Sequence, residues 1–230
     1  MSVMRNSPRS QPAKPPLSKD AVLQAGLRVL RKKGIDAVTM RAVAAELDTG
    51  AASLYVYVAN RQALLDEMFD LVIGEIELGD EPDPRRWREQ LVALLTRILE
   101  TMERHQGIAR VPLANVPTGP HATAVADGVI ALLRAGGIDD RSIAWFVDLV
   151  FLYINATAYE TAIYEEEGVA EEEIDEAIAV GFNRLDRWRY PNLFSMLDLL
   201  TSGSGEERFR FGLQLLIEGL LHVTPPEINR

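Results

Sequence analysis

The chain has 230 residues, 47% of them hydrophobic and 25% charged, which is ordinary for a globular protein and leaves enough apolar material for a packed core. It contains no cysteine, so disulfides and thiolate metal sites are excluded. The net charge of −10 argues at first against a nucleic-acid partner. Its distribution argues the other way. Residues 1–61 hold ten of the 24 Lys/Arg and four of the 34 Asp/Glu, a local charge of +6, so the remainder carries −16. No lysine follows Lys33. A basic head on an acidic body is the asymmetry expected of a DNA-binding protein, although charge alone fits a solvated acidic surface equally well. No apolar run reads as a membrane span, and the N-terminal MSVMRNSPRSQPAKPP lacks the apolar stretch of a secretory signal, so a cytoplasmic protein is expected.

Residues 1–16, rich in Pro, Ser and Arg, read as a disordered basic tail. From there the chain reads as all-α, with no alternating strand and no internal repeat. Ser18 caps a first helix with Val22, Ala25, Gly26, Val29 and Leu30 on one face, and Gly34 stops it. Thr39 caps a short second helix, MRAVAAEL. A break at Asp48-Thr49-Gly50 leads into a third short helix, AASLYVY. Asn60 caps a long fourth helix from Arg61 to about Leu78, with Leu64, Leu65, Met68, Phe69, Val72 and Ile76 on its apolar side. The linker GDEPDP follows. Longer helices come next: 84–104, broken at His105-Gln106-Gly107; a short segment to Asn115 and the turn VPTGP; 119–135, ended by Gly136-Gly137; a strongly apolar helix from Asp140 to about Glu167; and an acidic helix over 170–190 that ends near Pro191. The loop TSGSG at 201–205 precedes the final helix, EERFRFGLQLLIEGLLHV, which Pro225-Pro226 ends. The expected organisation is a tail (1–16), a small three-helix head (17–62) and a helical body (63–225), with the fourth helix as connector.

Two short helices joined by a tight turn are too short to stand alone and need a third to pack on. The first helix supplies it, which makes a helix-turn-helix unit with Ala44, Leu47, Leu54 and Val58 spaced to fill its core. The small residues Ala51, Ala52 and Ser53 would let the segment approach a DNA major groove closely, though Ala-Ala-Ser also suits plain packing against a neighbour. Tyr55 and Tyr57 suit either a half-buried core or a phosphate contact.

The run VTMRAVAAELDTGAASLYVYVANRQALLDEM resembles the TetR-family DNA-binding domain, on Thr39, Ala44, Leu54-Tyr55 and Arg61 ahead of Leu64-Leu65, and most closely its tetracycline-repressor branch. The resemblance covers residues 18–75. It implies a DNA-reading surface of Thr39, Arg41, Gly50, Ala51, Ala52, Ser53, Tyr55, Tyr57 and Arg61. In it Arg41, Ala51 and Ala52 face bases, while Thr39, Ser53, Tyr55, Tyr57 and Arg61 lie on or beside phosphate positions. Two departures matter: the usual turn glycine is Asp48, and a basic position reads Ala59, so a different target sequence is expected. With two alanines on the base-facing side, Arg41 is the candidate for a bidentate guanine contact, and the basic tail could add minor-groove contacts.

The body is similar to the tetracycline repressor's C-terminal domain in the same order, over most of residues 84–166 and 206–223. The similarity implies a homodimer through a four-helix bundle, for which Phe209, Gly212, Leu213, Leu216, Ile217 and Leu220 are the expected seam. A purely intramolecular core helix is the other reading. A dimer would place two heads about one helical turn apart on a palindromic operator. The similarity also implies a pocket for a small-molecule effector, lined by Ile98, Met102, Val111, Asn115, Val116, Ala144, Val147, Phe151 and Glu160. The positions of the branch's two drug-site histidines, one of them the magnesium chelator, read Pro112 and Glu77, and a drug-contacting asparagine reads Leu94. A metal-bound tetracycline is therefore not expected, and neither is any cofactor or metal; a bulky, largely apolar effector is.

An enzyme is the rival class. The three histidines, His105, His121 and His222, show no metal-ligand spacing, and no nucleotide-binding glycine motif follows a strand. The carboxylates at 165–167 and 171–173 read as a solvated helix end. Catalysis is not expected. A helical dimeric interaction or ligand-binding protein without sequence-specific DNA binding is the other alternative.

Overall fold

The structure is a computed structural model that describes residues 16–105, 107–168 and 170–226. The tail, and with it the expected minor-groove contacts, lies outside the described residues but for Pro16. So do the side chains of Glu165–Glu167, Glu171 and Glu172 in the carboxylate cluster. Among the described residues there is helix and no strand.

The head starts with α1 (Lys19–Lys33), capped by the Ser18 hydroxyl, which accepts the Ala21 N–H at 3.1 Å. Gly34 leaves the helix at φ 76°, a backbone angle that glycine adopts without steric cost. α2 (Met40–Glu46) is capped the same way by Thr39, which accepts from Ala42 at 3.1 Å. Losing such a cap costs about 1 kcal/mol. Asp48 takes φ 51° in the turn, so the aspartate does occupy the left-handed position that glycine usually fills.

The expected third helix forms as a 3₁₀ segment, Ala51–Val56. Only Leu54 anchors it in the core, and tightened bonds such as Ser53 N–H to Gly50 O hold so short a piece. The connector is α3 (Arg61–Ile73), with Asn60 accepting from Ala63 at 2.9 Å. It is shorter than expected. Beyond Gly74 the chain continues as a tightened turn that still buries Ile76. α1 and α3 pack so closely at Gly26 that a Cβ there would lie 2.5 Å from the Met68 sulfur.

The body comprises α4 (Trp87–Arg104), α5 (Arg110–Ala114), α6 (Pro120–Ala135), α7 (Asp140–Glu167), α8 (Glu171–Asn183), α9 (Pro191–Leu200) and α10 (Gly205–His222). α7 is central and packs on α4, α5, α6 and α10. By length and composition its residues 140–164 would also serve as a membrane span, contrary to the reading of the sequence, but here the helix packs against α4, α5, α6 and α10. The acidic helix expected over 170–190 stops at Asn183. Asp186 accepts the Trp188 N–H at 3.0 Å and makes a local turn that competes with helix. Pro191 then opens α9, which buries no residue within the chain. α10 begins with a capping box between Ser204 and Glu207. One hydrophobic core runs without interruption from Val22 in α1 to Ile217 in α10.

Candidate functional site

The head presents an outer surface built from α2 and the 3₁₀ segment. Thr39, Arg41, Gly50, Ala52, Ser53 and Tyr55 are exposed on it, and Tyr55 remains 56% exposed despite its size. Arg41 follows the cap of α2 by two residues, and no ion pair with a described residue restrains its guanidinium. Ala51 is half-buried against the core.

Two of the expected phosphate ligands have other partners. The Tyr57 hydroxyl donates to Leu17 O at 2.6 Å and pins the segment ahead of α1. Arg61 is turned inward: Nε donates to Val38 O at 2.7 Å and Nη2 to Ile35 O at 2.9 Å. Both carbonyls belong to the link between α1 and α2, so Arg61 fixes how α2 sits on the head. A sequence cannot show whether an arginine at a helix start reaches out to DNA or back to the chain.

The head carries a second clamp. Glu46 at the end of α2 meets Arg28 Nε and Lys32 Nζ of α1, both at 3.1 Å. The Lys32 hydrogen bond, then that of Arg28, holds the Glu46 carboxyl below its ordinary range. The cluster is exposed to water, so it contributes orientation more than stability.

A cavity of about 390 Å³ lies in the body between α3, α4, the α5 region, α6 and α7. Six expected residues line it: Ile98, Met102, Val116, Ala144, Val147 and Phe151. Three do not. Val111 is buried elsewhere in the core, and Asn115 and Glu160 are exposed. Pro112 is in the wall, while Leu94 is buried in the core and Glu77 is exposed, its carbonyl accepting from Arg97. The sequence reading missed Phe69 and Ile73 of α3, and Asp148 and Asn155 of α7. The repeat 144, 147, 148, 151, 155 is a helical face and was available as a signal. The α3 contribution was not, because it depends on how α3 lies against α6.

That contact is specific. Asp70 of α3 caps α6 from outside. Its Oδ1 accepts the N–H groups of His121 at 3.0 Å and Ala122 at 2.9 Å, and its Oδ2 lies 2.9 Å from His121 Nδ1. Gly119 and Gly74 leave the room: a Cβ at Gly119 would collide with Asp70, and one at Gly74 would press on the His121 ring. At the end of α3, Glu75 lies 3.0 Å from His105 Nε2, and in the head Asp36 pairs with Arg110 of α5 at 3.0 Å.

The expected seam on α10 is corrected by the structure. Phe209, Leu213 and Ile217 are buried inside the chain against α7, and Phe209 stacks on Tyr153 with ring centroids 5.5 Å apart. Burial pushes the Tyr153 hydroxyl pKa up. Gly212 is spoken for as well, because a Cβ there would run into the Tyr153 ring. Leu216 and Leu220 are half-buried at the edge. The apolar residues that α10 turns outward are Phe211 and Leu215, 62% and 56% exposed, and α7 adds Trp145, Leu149 and Leu152. The expected stripe on α10 is therefore mostly covered within the chain, because α7 packs over its wider part.

An exposed helix-turn-helix surface joined by one helix to a body with a cavity defines a ligand-controlled DNA-binding regulator. Residues 22–68 match the family model for bacterial regulatory proteins of the tetR family, and residues 81–224 match the tetracyclin repressor-like C-terminal domain. The chain belongs to the TetR family and is a ligand-responsive DNA-binding transcriptional repressor. It is 30% identical over 217 residues to the HTH-type transcriptional repressor DrrR1 of Streptomyces coeruleorubidus, covering 92% of this chain and 80% of that protein. It is similar to apo ActR from Streptomyces coelicolor, with 34% identity and a TM-score of 0.81 over 91% of this chain and 97% of that one. ActR in complex with actinorhodin matches with the same identity and TM-score, over 90% and 97%.

Proposed function

We propose that this chain acts in the cytoplasm as a homodimer, holds a palindromic operator with its two heads, and releases it when a bulky, largely apolar effector enters the body cavity without a metal. Residues 17–62 form the reading head, residues 63–225 the sensing and pairing body, and the tail 1–16 adds charge near the DNA. Arg41 reads a base, Thr39, Ser53 and Tyr55 meet phosphates, and Tyr57 and Arg61 position the reading segment from inside. The dimer seam uses the outward apolar stripes of α7 and α10. No catalytic step is assigned to the protein.

The observation that carries this reading is the double membership of α3. Leu64, Leu65 and Met68 are buried in the core that α1 shares, while Phe69 and Ile73, less than two turns further on, form cavity wall. A molecule that fills the cavity touches the helix that supports the reading segment. It changes the separation of the heads only as far as it binds one arrangement better than the other. A 100-fold loss of operator affinity requires about 2.7 kcal/mol of such coupling.

The test is to titrate hydrophobic compounds into the protein–operator complex, with magnesium and with a chelator. Release by an apolar compound, unaffected by the chelator, is expected. Release that needs magnesium and responds to tetracycline would contradict the metal-free reading of Pro112 and Glu77.

A further inference from the structure

The cavity wall is apolar except at two side chains, and both lie on α7. Asp148 and Asn155 are seven residues apart, which at 1.5 Å per residue separates them by about 10 Å along the helix axis. Asp148 is exposed at the mouth, and Asn155 is half-buried further in. Neither makes a hydrogen bond or ion pair with a described residue, whereas other polar groups near the α3–α6 joint are paired. Val147 and Phe151 of α7 line the cavity beside them, and Phe69 and Ile98 belong to the same wall. No lysine, arginine or histidine is among the lining residues.

An apolar molecule that fills this cavity lies against the Asp148 carboxylate and displaces part of its water at the mouth. With no cation in the wall, that loss is uncompensated unless the molecule brings its own positive charge. A ligand carboxylate would meet a like charge in the same place. We infer that the effector is an elongated apolar amine: a hydrophobic ring body with a protonated amine that pairs with Asp148 at the mouth and a carbonyl or hydroxyl about 10 Å away that meets the Asn155 amide. This rests on the cavity being the effector site, and it adds the sign of the effector's charge and the place of its polar groups.

Three probes with one tricyclic body test it. One carries a dimethylaminopropyl chain, one a hydroxypropyl chain and one a carboxypropyl chain. Calorimetric titration of the full-length protein should give the amine an advantage over the alcohol of about tenfold, with the carboxylate weakest. The advantage should shrink as salt is raised, because the mouth is open to water. In Asp148→Asn the amine should fall to the level of the alcohol, with the alcohol unchanged. The thermal melt of the free variant should also be unchanged, since Asp148 pairs with no described residue. Equal binding of all three probes by the wild type, or an amine preference that survives Asp148→Asn, overturns the assignment of an amine while leaving the effector cavity standing. Failure of all three to bind removes the cavity reading and this inference together.

Discussion

The head closes its polar surfaces within one chain, while the body leaves an apolar stripe and a cavity open. In the head, Glu46 is held by Arg28 and Lys32, Arg61 by two carbonyls and Tyr57 by Leu17 O. On the outer face of α2 and the 3₁₀ segment, Arg41 stands among small or hydroxyl-bearing residues such as Thr39, Ala52, Ser53 and Tyr55. In the body, Phe211, Leu215 and Leu149 are exposed, and the cavity keeps a carboxylate and an amide without partners among the described residues. A reading surface must be rigid to hold base-edge geometry, so its supports are internal. A sensing and pairing surface must gain something on binding, so its contacts are left unmade.

The most damaging test of that contrast is Leu215→Glu. A charge on the outward stripe of α10 would be buried without a partner in a dimer, at a cost of several kcal/mol. Sedimentation should show a folded monomer, and operator binding should be lost. A mutant that sediments as the wild type does would remove this stripe from the seam. Leu213→Glu, two residues away but fully buried, should instead unfold the body.

Two arginines of the head should then separate cleanly. Arg61→Ala takes the Arg61 donor from Val38 O and leaves Ile35 O with the Val38 N–H, and should lower the stability of the head by about 1–3 kcal/mol. Operator and random DNA should lose affinity alike. Arg41→Ala should leave the melt unchanged, cost about 1–3 kcal/mol on the operator and relax preference at one base pair per half-site. Equal loss on operator and random DNA from Arg41→Ala would remove its base-reading role. A normal melt for Arg61→Ala would show that the inward clasp is not what that residue contributes.

Asp70→Ala probes the joint between the two regions. It uncaps the first turn of α6 and should cost about 1 kcal/mol in stability. More tellingly, effector and operator should become less coupled, since α3 is no longer tied to α6. The measurement is the ratio of operator affinities with and without a saturating effector. An unchanged ratio would place the coupling elsewhere.

The smallest effect belongs to Glu46. Its folded pKa is depressed, so its contribution is present above the ordinary glutamate range and is lost as pH falls through the folded value. Acid melts of the wild type and Glu46→Gln should differ slightly near neutrality and converge at low pH. A gap that widened on acidification would have the wrong sign for this clamp.

Much of the head was legible in the sequence because its signals are local. Ser18, Thr39 and Asn60 each cap the helix that follows, and a cap needs only a side-chain oxygen three residues from an N–H. The stop at Gly34 and the turn at Asp48 are backbone requirements written at single positions. On α4 and α7 the resemblance supplied Ile98, Met102, Ala144, Val147 and Phe151, and these residues line the cavity.

What the sequence determined by itself was therefore most of the helices, though not α9, together with the caps of the head, the charge division and the family pattern, since each depends on residues a few positions apart. What only the tertiary structure decided was which face of each helix stays uncovered. Phe209, Leu213 and Ile217 form as good an apolar stripe as Phe211 and Leu215 do with their neighbours, and only the position of α7 separates core from surface. Arg61 turns inward because the α1–α2 link brings two carbonyls to it, and Phe69 reaches the cavity because Asp70 holds α3 on α6. Those hydrogen bonds join residues 23 to 52 positions apart, and no local pattern in a chain encodes the direction from which a distant neighbour arrives.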